Sequence, residues 1–318
     1  MYGGSARLAA ACGRPFKIMQ PLAFTVVLPT YNRPDLVRRA VQSVVAQQWP
    51  NVEILVIDDG STEPVTDVLS DLGDLVSVLR QESNLGVSAA RNRGIAAARH
   101  PWILMFDDDD VLLPEALTTV ADAIERLPDA QRYPVFKFGS TNSGQDFPAG
   151  FITPDDYLRR RVRGDLVPVL QRDVFLGHGF GYPETRVGGE HLLWLNVAAQ
   201  HTIPCWSSVV VRTSEARAGR LTSARSQIAR AREHAELQEE TLARFGPLFS
   251  ADYPEIYRLR HTAAATYWLL AGERKAARRH IAEANLGSRG ILLHLAAMLP
   301  RPFLRRLFLL YRRFMSNI

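Results

Sequence analysis

The 318-residue sequence predicts an α/β domain with a mostly parallel sheet flanked by helices, followed by an α-helical region. Three observations predict it. Short apolar, β-branched runs alternate with segments of helical spacing as far as Leu127. Three of those runs end in polar clusters. From Ser214 to about Asn285 helical spacing continues with no β alternation. The βαβα order implies parallel strands joined by right-handed crossovers.

The elements follow in order. Phe24 to Leu28 reads as a buried strand and ends at Pro29-Thr30-Tyr31-Asn32-Arg33-Pro34. Asp35 to Gln48 places Val37, Val41, Val44 and Val45 at helical spacing. Val52 to Ile57 is the second strand and ends at Asp58-Asp59-Gly60-Ser61. A short helix is expected near 64–72, a strand over Leu75 to Leu79 and an alanine-rich helix over Gly86 to Arg99. Trp102 to Phe106 is the fourth strand and ends in Asp107-Asp108-Asp109-Asp110. Pro114 opens a helix to about Leu127. Ligands of such sheets sit beyond the carboxyl ends of the strands. The three polar clusters are therefore expected on one rim.

Composition narrows the class. A chain with 47% hydrophobic residues, 38 basic and 33 acidic, supports one large or two modest domains and is not a disordered polymer. Its two cysteines, Cys12 and Cys205, exclude a disulfide scaffold. No apolar run reaches the ~18 residues of a membrane span. Residues 1–18, with Leu8 to Cys12 too short for a secretory core, read as a disordered leader or an early start before Met19. Charge is uneven: residues 212–318 hold 19 basic against 9 acidic residues, and the rest hold 19 against 24. Only Lys17, Lys137 and Lys275 are lysines, which reads as coding bias.

Four consecutive aspartates repel one another unless a cation sits among them. Hard divalent ions, Mg²⁺ or Mn²⁺, suit such carboxylates and share their coordination with substrate phosphates. The plainer alternative is an acidic turn that caps the helix at Pro114.

Four segments in order carry a resemblance. They are Val26–Arg33, Val56–Thr62, Asn84–Gly94 and Phe106–Pro114. Together they resemble the family 2 glycosyltransferases of the GT-A fold, with a weaker continuation to about residue 211. The resemblance implies a catalytic domain over 19–211, and charge and helical pattern mark 212–318 as an Arg-rich helical region. The resemblance also implies an inverting, metal-dependent transfer of a sugar from a nucleotide-diphosphate donor, with a UDP-sugar as the expected donor. The acceptor would be a hydroxyl of a glycan or lipid-linked molecule in cell-surface polysaccharide synthesis.

Site residues follow from the same resemblance. Pro29, Thr30, Tyr31 and Arg33 map to the nucleotide pocket, and Asp59 to the carboxylate that bonds the base. Arg91 would pair with phosphate or brace the aspartates. Asp109 is the expected metal ligand with Asp107 beside it. Asp107 and Asp108 would face the ribose, the donor sugar or bound water, and Asp110 would support the loop.

The base is where the sequence departs from the family. The usual Glu-Asp pair has become Glu190-His191 in Val187-Gly188-Gly189-Glu190-His191-Leu192-Leu193-Trp194. In one register Glu190 keeps the Glu; in the other Gly189 replaces it and Glu190 replaces the Asp. Glu190 is acidic in both, so it is the first candidate and His191 the second. The helix start would lower the pKa of either. Trp194 would form an acceptor-stacking platform or pack in the core. Gly177 to Gly181 lacks the context of a phosphate loop and reads as a flexible acceptor loop. His178, His191 and His201 have no metal spacing.

The tail carries a second signal. Ala263 to Ala282 reads as a helical hairpin around Gly272 that buries Tyr267, Trp268 and Leu270. Residues 291–299 and 303–314 are apolar segments split by Pro300 and Pro302. In the second, Phe303, Leu304, Leu307, Phe308, Leu310, Tyr311 and Phe314 share one helical face, and Arg305, Arg306, Arg312 and Arg313 the other. Such a helix suits peripheral contact with an anionic membrane, or docks on its own domain. Its aromatics avoid the arginines, so nucleic acid is not expected. The expected setting is the cytoplasm, at the inner face of the cell membrane. A sugar-phosphate nucleotidyltransferase would want a Gly-rich basic loop after the first strand, and Pro29–Pro34 is not one. A nucleotide-sugar-binding protein without a base is the non-enzyme alternative.

Overall fold

The first strand, β1 (Phe24–Thr30), and its neighbour β2 (Val52–Asp58) are buried along their whole length in a computed structural model of the chain. The structure describes residues 21–143, 150–162, 164–214, 223–284 and 288–315. The leader expected at 1–18 and Cys12 lie outside them. Strands covered on both faces read as continuous apolar runs, as these two do. Between them α1 (Pro34–Val45) starts on a proline and turns Val37, Ala40, Val41 and Val44 inward. The short helix expected near 64–72 is α2 (Thr66–Leu69), continued by a 3₁₀ turn to Leu72. Next come β3 (Val76–Arg80), α3 (Val87–Ala97) and β4 (Trp102–Met105), each within a few residues of its expected bounds.

These four strands are parallel, in the order β3-β2-β1-β4. The rest of the sheet is mixed. After β5 (Val111–Leu112) and α4 (Ala116–Arg126) the chain lays down β6 (Val135–Ser140) and β7 (Gly150–Ile152). It continues through α5 (Pro154–Leu158), β8 (Val167–Gln171), α6 (Arg172–Gly177), α7 (Glu190–Gln200) and β9 (Ile203–Arg212). β8 runs antiparallel between β4 and β6, β6 pairs in parallel with β9, and β5 and β7 pair antiparallel with β9. Alternating residues of β1 supply two cores, as the period of a strand requires. Val26 and Leu28 face α1 and α4; Val27 faces α3, α6 and α7.

The helical region begins with α8 (Ala224–Ala229), α9 (Ala231–Asp252) and α10 (Pro254–Ala271). It ends with α11 (Arg274–Glu283), α12 (Ser288–Ala296) and α13 (Arg301–Met315). The expected hairpin is present: Gly272, at φ 95°, closes α10, with Trp268 and Leu270 buried and Tyr267 half-buried. The region is packed onto the sheet domain, because Leu237, Phe245 and Phe249 of α9 share a core with Leu158 of α5 and Leu192 and Leu195 of α7.

The terminal helix divides the face read from its sequence. Leu304 is buried and Phe308 packs against the bundle, so one edge docks on its own domain. Phe303, Leu307, Leu310 and Tyr311 remain exposed, as do Ile291, Leu292, Leu295 and Met298 of the preceding segment. No helix among the described residues is long and apolar enough to cross a membrane.

Candidate functional site

The carboxyl ends of β1, β2 and β4 do bring the three polar clusters to one rim. The loops after β1 and β2 are laced together. Asn32 adopts φ 54°, its backbone N–H donates to Ser61 Oγ at 2.9 Å, and its side chain accepts from Thr62 N at 2.7 Å. Asp58 is fully buried and structural, accepting from Ser61 N at 2.8 Å and from Arg80 Nη1 at 2.8 Å. Asp59, also buried, accepts from Gln81 and from the amides of Leu85 and Gly86 at the entrance to α3. It therefore braces that helix, and an ionised carboxylate still keeps acceptor capacity for a further donor. Tyr31 is 43% exposed, with its ring open to solvent beside this loop.

The aspartate run splits by environment. Asp108 is buried and receives Thr30 Oγ1 at 2.8 Å and Arg33 Nη1 at 3.0 Å. Burial pushes its carboxyl up to about 6, against the pull of that hydroxyl and guanidinium. Asp110 accepts from Ser214 N at 3.1 Å, and burial followed by Asp107 pushes it up to about 7. Asp109 keeps its carboxylate toward the cleft, 3.5 Å from Arg33, while Arg39 holds its carbonyl at 2.9 Å. Asp107 meets Arg91 at 2.6 Å.

Arg91 is the pivot. Its guanidinium is buried under the Tyr182 ring, 5.1 Å from the centroid, and bridges Asp107 of β4's exit to Glu190 of α7. Burial opposes its charge, and Asp107 and Glu190 more than offset that, so its pKa moves further up. Removing either carboxylate leaves a buried cation half-paired.

Two pockets meet at this arginine. One is lined by Pro29, Thr30, Tyr31, Arg33, Asp59 and Asp108, with Arg230 reaching in from the helical region. The other is lined by Asp110, Lys137, Asp165, Tyr182, His191 and Trp194. Arg91, Asp107, Asp109 and Glu190 line both. A donor bound in one and an acceptor in the other would thus meet at these four side chains.

The residues fit a hard divalent cation. Asp107 and Asp109 offer oxygen ligands with partly exposed carboxylates on the shared wall. Among the described residues the aspartates form no three-ligand cage. An ion held by two carboxylates would complete its shell with water and substrate phosphate.

Gly189 settles why a glutamate stands at 190 and not at 189. Gly189 precedes α7 in the left-handed region at φ 103°, and a Cβ there would lie 2.8 Å from Pro183 Cγ. Glu190 is the first residue of α7, with a side chain 44% exposed to the cleft. His191 fares differently. Its Nε2 faces Arg260 Nη1 at 3.2 Å, and burial, then Arg260, lowers it to about 4. The expected lowering is present, but its cause is burial and a cation. A lone pair covered by a guanidinium is a poor proton acceptor.

Trp194 takes the second of its two expected roles, and the segment before Glu190 departs from expectation. Trp194 is 7% exposed, with Lys137 Nζ 3.4 Å from its ring centre and Tyr182 against its edge. The indole is packed, and this ammonium covers one of its faces. The segment around Gly177–Gly181 is anchored, not loose: Phe180 is buried, and Asn92 holds Tyr182 through its N–H at 2.8 Å and its carbonyl at 2.9 Å.

Lys137 was hidden in the sequence. One of three lysines in an Arg-rich chain, it is buried in β6 and faces the second pocket. Burial pulls its ammonium down to about 7, with Glu190 acting the other way. Between that value and its unfolded 10.5 the unfolded chain binds one more proton, so this group makes stability rise with pH. In Lys137→Met that contribution disappears. Thermal unfolding from pH 7 to 9 should show wild type gaining on the variant; parallel curves would refute the titration.

Residues 25–179 match the sequence profile of Glycosyl transferase family 2. They form a family 2 glycosyltransferase domain. The chain is 32% identical over 200 residues to the succinoglycan biosynthesis protein ExoU of Rhizobium meliloti, covering 56% of this chain and 58% of that one. It is 26% identical over 189 residues to the GalNAc(5)-diNAcBac-PP-undecaprenol beta-1,3-glucosyltransferase of Campylobacter jejuni, covering 54% and 59%. The chain thus spans a little over half the length of these two relatives. The family 2 domain has the GT-A fold. S. aureus TarS 1–349 in complex with UDP-GlcNAc superposes with TM-score 0.56 at 18% identity, over 92% of each chain. The mannosyltransferase PcManGT from Pyrobaculum calidifontis, in complex with GDP-Man and Mn²⁺, gives 0.56 at 18%, over 94% and 86%.

Proposed function

We propose that the chain is an inverting glycosyltransferase that moves a sugar from a UDP-sugar to a hydroxyl of a glycan or lipid-linked acceptor. The observation that carries this reading is the shared wall of the two pockets. In it, Glu190 takes the proton from the acceptor hydroxyl as that oxygen attacks the anomeric carbon from the side opposite the diphosphate. Arg91 fixes the Glu190 carboxylate and keeps Asp107 in register. Thr30 and Arg33 hold Asp108, which shapes the donor pocket, and Tyr31 offers a ring for the base. Asp109 and Asp107 would hold Mn²⁺ or Mg²⁺, which supplies positive charge beside the departing diphosphate. The names of the relatives support a role in cell-surface polysaccharide synthesis. The donors differ among the structural neighbours, so the nucleotide is the point to test. Thermal shift with Mn²⁺ and UDP-, GDP- and dTDP-sugars should single out a UDP-sugar. Stabilisation by a GDP-sugar instead would overturn the donor assignment.

The tail belongs to the same proposal. The exposed apolar arc of α12 and α13, rimmed by Arg306 and Arg313, suits the cytoplasmic face of an anionic membrane, where lipid-linked acceptors reside. Deleting 291–318 would remove buried Ala297 and Leu304, so surface changes are the cleaner test. Leu307→Glu with Leu310→Glu should lower co-sedimentation with phosphatidylglycerol vesicles about tenfold. Equal sedimentation of both proteins would refute attachment.

A further inference from the structure

The helical region holds a second group of ligating side chains, remote in sequence from the cleft residues. His261 of α10 and His280 of α11 are both 3% exposed, and their Nδ1 atoms lie 3.0 Å apart. Glu283 follows His280 by three residues, so both project from one face of α11. Its Oε2 is 3.8 Å from His261 Nδ1, and one ligand atom from each of the three residues lies within 4.8 Å of the others.

The surrounding groups fix which nitrogen is bare. His280 Nε2 lies 2.9 Å from Glu239 Oε1, which also accepts the Trp268 indole N–H at 3.0 Å and pairs with Arg279. A carboxylate held by that many donors is an acceptor, so His280 Nε2 carries the proton. Its Nδ1 then presents a lone pair toward His261. Carboxylate–imidazole pairing of this kind orients metal-bound histidines.

Charge and access also fit. Glu239 and Glu283 outweigh Arg279, the nearest cation, which sits 3.9 Å from the other Glu283 oxygen. A groove lined by Tyr257, His261, His280 and Glu283 opens the group to solvent. Imidazole nitrogens with one carboxylate select a first-row transition ion over Mg²⁺.

We propose that His261, His280 and Glu283 form a binding site for a divalent transition ion, Zn²⁺ by ligand type. The ion would tie α10 to α11 and keep one coordination position facing the groove. It is separate from the aspartate site, whose ligands are all oxygen.

The test is zinc binding to the full chain after chelator treatment and dialysis, read by calorimetry against Mg²⁺. Wild type should bind one Zn²⁺ with a rise in melting temperature that Mg²⁺ does not give. Glu283→Gln, a change at a half-exposed side chain that leaves the fold intact by circular dichroism, should weaken binding about tenfold or more. His261→Asn should abolish it. Absence of Zn²⁺ binding in wild type, or wild-type affinity in Glu283→Gln and His261→Asn, would overturn the site. Neither result bears on the transferase reading.

Discussion

Glu190→Gln should lower turnover about a thousandfold while leaving donor affinity within about threefold, because a general base supplies roughly 10²–10⁴ in rate. Gln keeps the shape of the side chain and an oxygen that can still accept from Arg91. What it loses is the capacity to take a proton. The position tolerates the change, since Glu190 is the partly exposed first residue of α7 and its helix is anchored by Leu192, Leu193 and Leu195. Nucleoside diphosphate release gives turnover, and calorimetry with the donor gives affinity. A variant with wild-type turnover would move the base elsewhere. His191 is not the obvious successor, because Arg260 covers its Nε2 and its pKa lies near 4. His191→Asn is expected to cost less than tenfold.

Asp109→Ala should weaken metal-dependent donor binding by about a hundredfold or more, leaving the fold unchanged. Its carboxylate is the member of the run that faces both pockets without a short hydrogen-bonded partner, Arg33 lying 3.5 Å away. The loop itself is held by others: Arg39 grips the Asp109 carbonyl, Thr30 and Arg33 grip Asp108, and Ser214 N grips Asp110. Truncation therefore removes a ligand and not a support. Titration of the donor at fixed Mn²⁺, repeated with chelator, reads the effect directly. Unaltered metal-dependent binding would assign the ion to other oxygens. The contrast with Asp108 is instructive, since Asp108→Ala would strip a buried partner from Thr30 and Arg33 and disturb the pocket through its wall.

Much of the parallel half was legible because its strands are mostly apolar, broken only by single polar residues such as Glu53 and Ser77, and because α1 and α4 keep an apolar face. Val52–Ile57 can hardly be anything but a buried strand, and the structure adds only Asp58 to it. The second half of the sheet was not read. Val135–Ser140 carries Lys137 and Gly139, and Val167–Gln171 carries Pro168, so neither looks like a central strand. β9 also shifts register against β6, with exposed residues in its middle. Tertiary burial, not local pattern, decides those strands.

The site shows the same division. The family resemblance assigned Asp107, Asp109, Arg91 and Glu190 to one site, and the structure does bring them to one wall. What local sequence does not encode is which side chain a long-range partner occupies. Asp59 braces the entrance to α3, and His191 is covered by an arginine 69 residues away. Lys137 against Trp194, and His261 against His280, are likewise contacts between distant segments that no spacing rule links. The amphipathic tail gave a true apolar face, but part of it closes on the bundle and only the remainder is free for a lipid surface.

The central claim is that one wall, shared by two pockets, joins a nucleotide-sugar to an acceptor hydroxyl. The most direct measurement is nucleoside diphosphate release by the purified chain with Mn²⁺, a panel of nucleotide-sugars and lipid-linked glycan acceptors. The account predicts release of UDP that needs the acceptor and the metal and is lost in Glu190→Gln. A wild-type protein that binds a nucleotide-sugar yet releases no diphosphate with any acceptor would contradict it, and would leave the chain a donor-binding protein without a working base.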